Sequence, residues 1–400
     1  MVVVVEEEDE LLRALSSAED GLLDSLREDR ARDAAAAIHA ADYLLVATGA
    51  GMSAGAGMTV YRSYDRDGPS AASGTGIFRS GQEVTYEELA SPEALTRTPM
   101  DFHTFMTRFY NAAAEARPSA AYYSLRDWQR RLGRDRAFTF TSNVDGLHLR
   151  AGCDHVLECH GSKMRWQCAT PCTEQVWDIH GASSDFRFPE AFAPGDGDEA
   201  RTVAAVAADS TSATASFMAV CGERRQPPTC PHCHGPARPA VLLFGSDGAA
   251  LYERPTQVAA WRDWRRRVED DLTANRGRKL AIIEVGAGTS VPSVRLACEG
   301  LLNALGPRQC TLIRINKTPI TGDNSSPGVL MVKWSGEEAI ACISTCLDEL
   351  VQDQDASSDS EHETTQAKAC VERGRSEPDA EAPPKRLRGN GTASESGGEV

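Results

Sequence analysis

Two short apolar runs that each break into a glycine loop constrain this chain most. Tyr43 to Ala47 enters Thr48-Gly49-Ala50-Gly51-Met52-Ser53-Ala54-Gly55-Ala56-Gly57, and Leu280 to Val285 enters Gly286-Ala287-Gly288-Thr289-Ser290-Val291. Runs of strand length without polar alternation are buried on both faces, which is the habit of parallel strands covered by helices. Arg238 to Gly245 (RPAVLLFG) and Cys310 to Ile315 read as further strands, and helical patterns lie between. Repeated strand, glycine turn and helix predicts an α/β fold with a doubly wound, Rossmann-like parallel sheet. The first loop fits G-x-G-x-x-A after a strand, so it either cradles a pyrophosphate at a helix N-terminus or is a simple glycine-rich turn.

Leucines at helical spacing from Leu11 to Leu26 predict an N-terminal helix, and alanine-rich residues 29–41 continue as helix. Residues 63–81 turn to Gly, Ser, Asp and Arg, either a lid beside the phosphate site or a solvated connector. Residues 85–132 read as helical, with aromatic stripes (Phe102, Phe105, Phe109; Tyr122, Leu125, Trp128) that belong to core. A helix over 256–274 carries Arg262, Arg265, Arg266 and Arg267 on a solvated face.

The net charge of −16 belongs mostly to the ends: residues 1–33 hold eleven acidic and four basic side chains, and residues 351–400 eleven and six. The acidity therefore says little about the central fold, and neither a nucleic-acid nor a membrane partner is expected. No apolar run reaches membrane-spanning length and no signal-peptide pattern is present, which predicts an intracellular protein. Beyond Glu349 the composition predicts a disordered acidic tail, within which Lys385, Arg386 and Arg388 form either a nuclear import signal or a solvated charge run.

The chemistry concentrates between Ala137 and Gly161. A β-branched strand breaks into Thr141-Ser142-Asn143-Val144-Asp145-Gly146, and the stretch closes on Glu158-Cys159-His160-Gly161. Amide, carboxylate and imidazole groups at a strand's carboxyl end are where ligands collect on an open α/β sheet. Twelve cysteines in a long chain without a secretion signal favour metal binding over a disulfide framework. Cys168, Cys172, Cys230 and Cys233 form two close pairs whose spacing suits a zinc ribbon; four sulfur ligands make such a zinc structural. The alanine- and serine-rich interval 182–226 reads as an insertion in that module, with Cys221 a weaker competing ligand.

Taken in order, GAGMSAGAGMTVYR (49–62), TSNVDGLHLRAG (141–152), CHGS (159–162), the two cysteine pairs, RPAVLLFG, GAGTSVP (286–292) and RIN (314–316) resemble the sirtuins, in particular a divergent bacterial-type branch. The resemblance spans roughly 40–345. It implies a Rossmann-like NAD-binding domain over 34–162 and 238–350, with a helical or lid insertion at 63–132. A smaller zinc module would occupy 163–237, with an N-terminal extension over 1–33 and the tail from 351. It also implies NAD-dependent removal of an acyl group from a lysine of a protein or peptide, with release of nicotinamide and O-acyl-ADP-ribose.

By the same resemblance Gly49, Ala50, Gly51, Ser53, Tyr61 and Arg62 would line the cofactor loop, and Gly288, Thr289, Ser290 and Asn316 the phosphate and ribose side. Ser142, Asn143 and Asp145 would face the nicotinamide and its ribose, with Asn143 ordering nearby water. His160 would be the general base, since a neutral imidazole can take a ribose hydroxyl proton near pH 7. Four positions depart from the family pattern: Thr59 and Val60 stand where proline and a carboxylate are usual, Ser142 replaces a glutamine, and Ser246 follows Phe244-Gly245 in place of a glutamate. The same pocket without an acyl acceptor would make an ADP-ribosyltransferase or an NAD glycohydrolase. A catalytically inert module that binds NAD or ADP-ribose is the reading from another class; Asn143, Asp145 and His160 together argue against it.

Overall fold

The computed structural model describes residues 23–58, 78–79, 82–83, 85–178, 188, 227–318 and 326–373. Outside them lie most of the predicted helix over Leu11–Leu26, Thr59, Val60, Tyr61 and Arg62, most of the predicted loop 63–81 and of the interval 182–226 with Cys221, and the basic cluster at Lys385, Arg386 and Arg388. The chain divides into a unit Met1–Glu349 and a unit Leu350–Val400.

The first unit is built on six parallel strands. In chain order the strands are β1 (Tyr43–Thr48), a small antiparallel pair β2 (Phe78–Arg79) and β3 (Gln82–Glu83), β4 (Ala137–Thr141), β5 (Val156–Glu158), β6 (Gly161–Cys168), β7 (Val176–Asp178), β8 (Ala237–Val241), β9 (Leu280–Val285), β10 (Cys310–Ile315) and β11 (Val329–Val332). The large sheet has the order β11-β10-β9-β1-β4-β5, so the chain builds outward from β1 to one edge and then returns to build the other. Every residue of β1, β4, β5 and β9 is buried, which accounts for their unbroken apolar runs. On one face Leu45, Phe138, Phe140, Ile282 and Leu312 meet Trp261, Trp264 and Val268 of helix Pro255–Ala274 and Val294, Cys298 and Leu301 of helix Ser293–Leu305. The alternating residues Leu44, Val46, Ala281 and Ile283 are equally buried and must face the opposite layer, where helix Ala120–Leu132 packs on β1 and β4.

The helical stretch before β4 is divided where the sequence places caps. Thr85 and Glu88 form a reciprocal capping box at Tyr86–Leu89, Ser91 caps Pro92–Arg97, and Pro99 opens helix Pro99–Glu115. A separate antiparallel sheet, ordered β7-β6-β8, carries the cysteine pairs at its end. The RPAVLLFG strand is shorter than its apolar run: β8 stops at Val241, although the Leu242 N–H still donates to the His160 carbonyl. The final helix, Gly336–Arg373, runs on into the acidic segment, where Glu, Gln and Ala hold helix without an apolar stripe.

Candidate functional site

Strand order reverses between β1 and β9, and the two glycine loops leave the carboxyl ends of these two neighbours. An open α/β sheet binds its ligand at this switch point. The loops touch: a methyl group on Gly51 would lie 2.7 Å from the Gly286 Cα, and one on Gly49 2.8 Å from the Ala287 Cα. Gly286 also has φ +63, so these glycines are required by the backbone itself. Gly288 has open space where a side chain would be, and Thr289 and Ser290 beside it are exposed. Their backbone and hydroxyls therefore face a cavity of about 630 Å³.

That cavity brings together Gly49, Ala50, Gly51 and Ser53 with Gly288, Thr289, Ser290 and Asn316, and with Ser142, Asn143, Asp145 and His160. The predicted catalytic and cofactor residues that are described thus share one cavity, separate from the four cysteines; Tyr61 and Arg62 lie outside the described residues. The two loops converge without a side chain between them, and exposed hydroxyls flank the open backbone, which suits the pyrophosphate and riboses of a dinucleotide. The Asn316 side chain donates to the Ala287 carbonyl at 3.2 Å, bracing the second loop.

The three polar groups after β4 are held from different elements. Asn143 is buried; its Nδ2 donates to the Gly49 carbonyl (2.9 Å), tying the β4 turn to the first glycine loop. Asp145 is buried too, accepting from Ser53 Oγ at 2.6 Å and from the Leu147 N–H at 2.9 Å. Burial raises its pKa, and those two hydrogen bonds oppose the rise. His160 Nε2 stands 2.9 Å from Ser293 Oγ, at the start of helix Ser293–Leu305, and burial lowers its pKa below the ordinary 6.5. The imidazole is therefore kept neutral, the form in which it accepts a proton. Gly161 has φ +83, and a methyl there would meet the Ala240 carbonyl oxygen at 2.2 Å, so the turn from His160 into β6 requires glycine.

Part of the cavity is apolar, walled by one cluster of Tyr86, Met106, Phe109, Val241, Leu243 and Phe244. Two residues here escaped sequence reasoning. Ser293 follows Pro292 in an unremarked helix start, and Lys163 sits inside a strand where a cation ordinarily points to solvent; yet both line the cavity. No local pattern flags either.

The four cysteines converge at the end of the smaller sheet, their sulfurs all within 4.8 Å of one another. Cys168 to Cys233 is 3.6 Å and Cys172 to Cys230 is 3.7 Å, against an edge of about 3.8 Å for a tetrahedron with Zn–S bonds of about 2.3 Å. The His232 N–H reaches the Cys230 sulfur at 3.4 Å, and the turn closes through the His234 N–H to the Cys230 carbonyl. Donor type, distances and supporting N–H fit a structural zinc ion.

The chain is similar to known proteins. The Sir2 family profile matches residues 49–259, more than half of the chain. A Thermus thermophilus protein named NAD-dependent protein deacylase is 29% identical over 241 residues, covering 59% of this chain and 72% of its own length. NAD-dependent protein deacylase 2 of Corynebacterium efficiens is 29% identical over 200 residues, which is 50% of this chain and 60% of the relative. Among solved structures, a Sir2 homologue in complex with NAD superposes with TM-score 0.51 at 21% identity, covering 79% of this chain and 93% of that one. The parallel sheet, the shared cavity and the family match agree: this chain belongs to the Sir2 family.

Proposed function

We propose that the protein is an NAD-dependent protein-lysine deacylase. The observation that carries this reading is that one cavity is lined by both glycine loops, suited to a dinucleotide, by Asn143, Asp145 and His160, and by apolar side chains suited to an acyl-lysine. NAD, when bound, would supply a ribose carbon that becomes electrophilic as nicotinamide departs and accepts the acyl oxygen. Gly49, Ala50 and Gly51 would hold its phosphates with Gly288, Thr289 and Ser290, and Asn316 would fix the adenine-side ribose. Asp145, oriented by Ser53 and the Leu147 N–H, would hold the carboxamide. Asn143, anchored on Gly49, would order the ribose and a water. His160, neutral and steadied by Ser293, would take the proton from a ribose hydroxyl at Nε2 or through Ser293 Oγ.

Cys168, Cys172, Cys230 and Cys233 would hold zinc as a strut for the smaller sheet. The division into an NAD-binding domain (34–162 and 238–350) and a zinc module (163–237) is supported by the two separate sheets. For location we infer an intracellular protein, nuclear or cytoplasmic. In support, no helix among the described residues is long and apolar enough to cross a membrane, and Lys385, Arg386 and Arg388 form a basic cluster in the tail.

The test is incubation with NAD, with and without an acyl-lysine peptide, following nicotinamide and acyl-ADP-ribose. Nicotinamide released only with peptide is the expected result. Release without peptide would instead identify a hydrolase or transferase, and NAD binding without release an inert module. His160→Ala with unchanged turnover would refute the general-base assignment.

A further inference from the structure

The apolar end of the cavity contains a cation that the proposed chemistry does not use. Lys163 is only 2% exposed. Its backbone N–H donates to the Val144 carbonyl in the turn that carries Asn143 and Asp145. Its Nζ sits 2.8 Å from the centroid of the Phe109 ring and within 5.8 Å of the Phe105 and Tyr86 ring centroids. Among the described residues Nζ has no hydrogen-bond partner. Burial drives the amine well below its ordinary pKa, and the charge of Asp145 is what opposes this.

A lysine kept only to fill an apolar cluster is a poor choice. An ammonium in such a site loses more in hydration than a desolvated aromatic face returns. Leucine or methionine would fill the same space without that cost. The arrangement is favourable only when something in the cavity brings a negative charge to Nζ. The polar end already accommodates the dinucleotide in the proposed reading, and among the described residues the acid that acts on Nζ is Asp145, which is already engaged by Ser53 Oγ and the Leu147 N–H. A charge free to pair directly with Nζ is one that arrives on the acyl group.

We propose that Lys163 is a specificity-determining residue that makes this end of the cavity select lysine acyl groups ending in a carboxylate. The proposal rests on the deacylase reading for its reaction, though not for its binding step. An acetyl or straight aliphatic acyl group entering the cavity would strip residual water from the amine and offer nothing in return. A dicarboxylic half-amide would restore the charged ammonium and pair with it. Such a group would join Asp145 in favouring the charged amine against the burial that lowers its pKa.

The test uses the full-length protein and one peptide sequence carrying butyryl-lysine, succinyl-lysine or the uncharged succinamoyl-lysine, with NAD. Expected is a kcat/KM for the succinyl peptide at least about tenfold above both uncharged peptides, and a fall in that ratio of similar size in Lys163→Met. Wild-type protein that does not prefer the succinyl peptide, or a ratio unchanged in Lys163→Met, overturns the proposal. Calorimetry without NAD separates binding from turnover: the succinyl peptide should bind wild type more tightly than either uncharged peptide and bind Lys163→Met no more tightly than they do. That binding pattern with no turnover of any peptide supports the selectivity while refuting the deacylase reading. Equal binding of all three peptides refutes the selectivity whatever the turnover. Lys163→Gln, which keeps a polar end without charge, should behave as Lys163→Met; a preference for the succinyl peptide that survives Lys163→Gln also overturns the proposal.

Discussion

The loop after β8 is pinned by an ion pair whose removal should be among the costliest single changes in the chain. The Arg238 and Asp247 side chains are each 1% exposed. Arg238 Nη1 and Nη2 donate to the two Asp247 oxygens at 2.8 and 2.5 Å, and Nη2 also reaches the Val241 carbonyl. Asp247 in turn accepts from the Leu243 N–H at 3.0 Å. Asp247→Ala leaves a guanidinium buried with only carbonyl partners and strips Leu243 of its acceptor, so the expected cost is about 3–5 kcal/mol. Solvent screening does not reduce this figure, since both groups are dry. Asp247→Asn keeps part of the hydrogen bonding and should cost roughly half as much. Replacing both partners, Arg238→Met with Asp247→Leu, removes the uncompensated charge and should recover most of the loss. Urea denaturation with a fixed m-value reads these differences as shifts in midpoint. If Asp247→Ala costs less than about 1 kcal/mol, or the double variant is no better than the single, the pair is not a buried brace. Because the same loop carries Leu243 and Phe244 to the apolar wall, the weakened variants should also show a raised KM for acyl peptide with a smaller change in kcat.

Gly161→Ala combines a left-handed backbone with a methyl 2.2 Å from the Ala240 carbonyl, so it should lower both stability and activity, whereas the same change at Gly288, where nothing is within 4 Å, should spare stability; thermal melts of the two compare them directly. A chelator should release one zinc per chain and lower the melting temperature, and protein with no zinc that is indifferent to chelator would refute the four-cysteine site. The acid limb of the kcat/KM profile should lie below pH 6.5, because burial lowers the His160 pKa from that value; a limb above pH 7 would argue against His160 as the base. Stability should also respond to pH in two opposed windows. Glu158, pushed up from 4.5 to about 7 by burial, binds a proton more tightly when folded, so its contribution is full below pH 4.5 and is lost as pH rises through 7. His148, lowered from 6.5 to about 3, contributes fully above 6.5 and loses that contribution as pH falls toward 3. Glu158→Gln should therefore flatten the decline between pH 4.5 and 7 and leave the acid side unchanged, as measured by urea titration at several pH values.

How much of the molecule is legible in the sequence depends on whether a feature is local. β1 and β9 can be read because strands covered on both faces are apolar throughout, and each runs into a loop whose glycines are demanded by contact with the other loop. The helix breaks at Ser91-Pro92 and Thr98-Pro99 are capping chemistry, which is also local. β8 reads too long in the sequence because an apolar run marks burial, not hydrogen bonding: Leu243 and Phe244 are apolar as walls of the cavity, after the ladder has ended.

The long-range pairings are not legible, and they decide what the site can do. Ser293 lies 133 residues from His160, and nothing about a serine after a proline announces an imidazole 2.9 Å away. Lys163 is the sharper case. Period-two reasoning asks only which face of β6 a residue takes, and β6 shifts register between Ser162 and Trp166, where the alternation loses its meaning. Its side chain is thereby free to enter the aromatic cluster instead of solvent. A buried amine beside an acyl-sized cavity violates the rule that keeps lysine at the surface. Departures of that kind concentrate where a protein meets its ligand, which is why the residue with the least sequence signal bears most directly on which acyl group the cavity accepts.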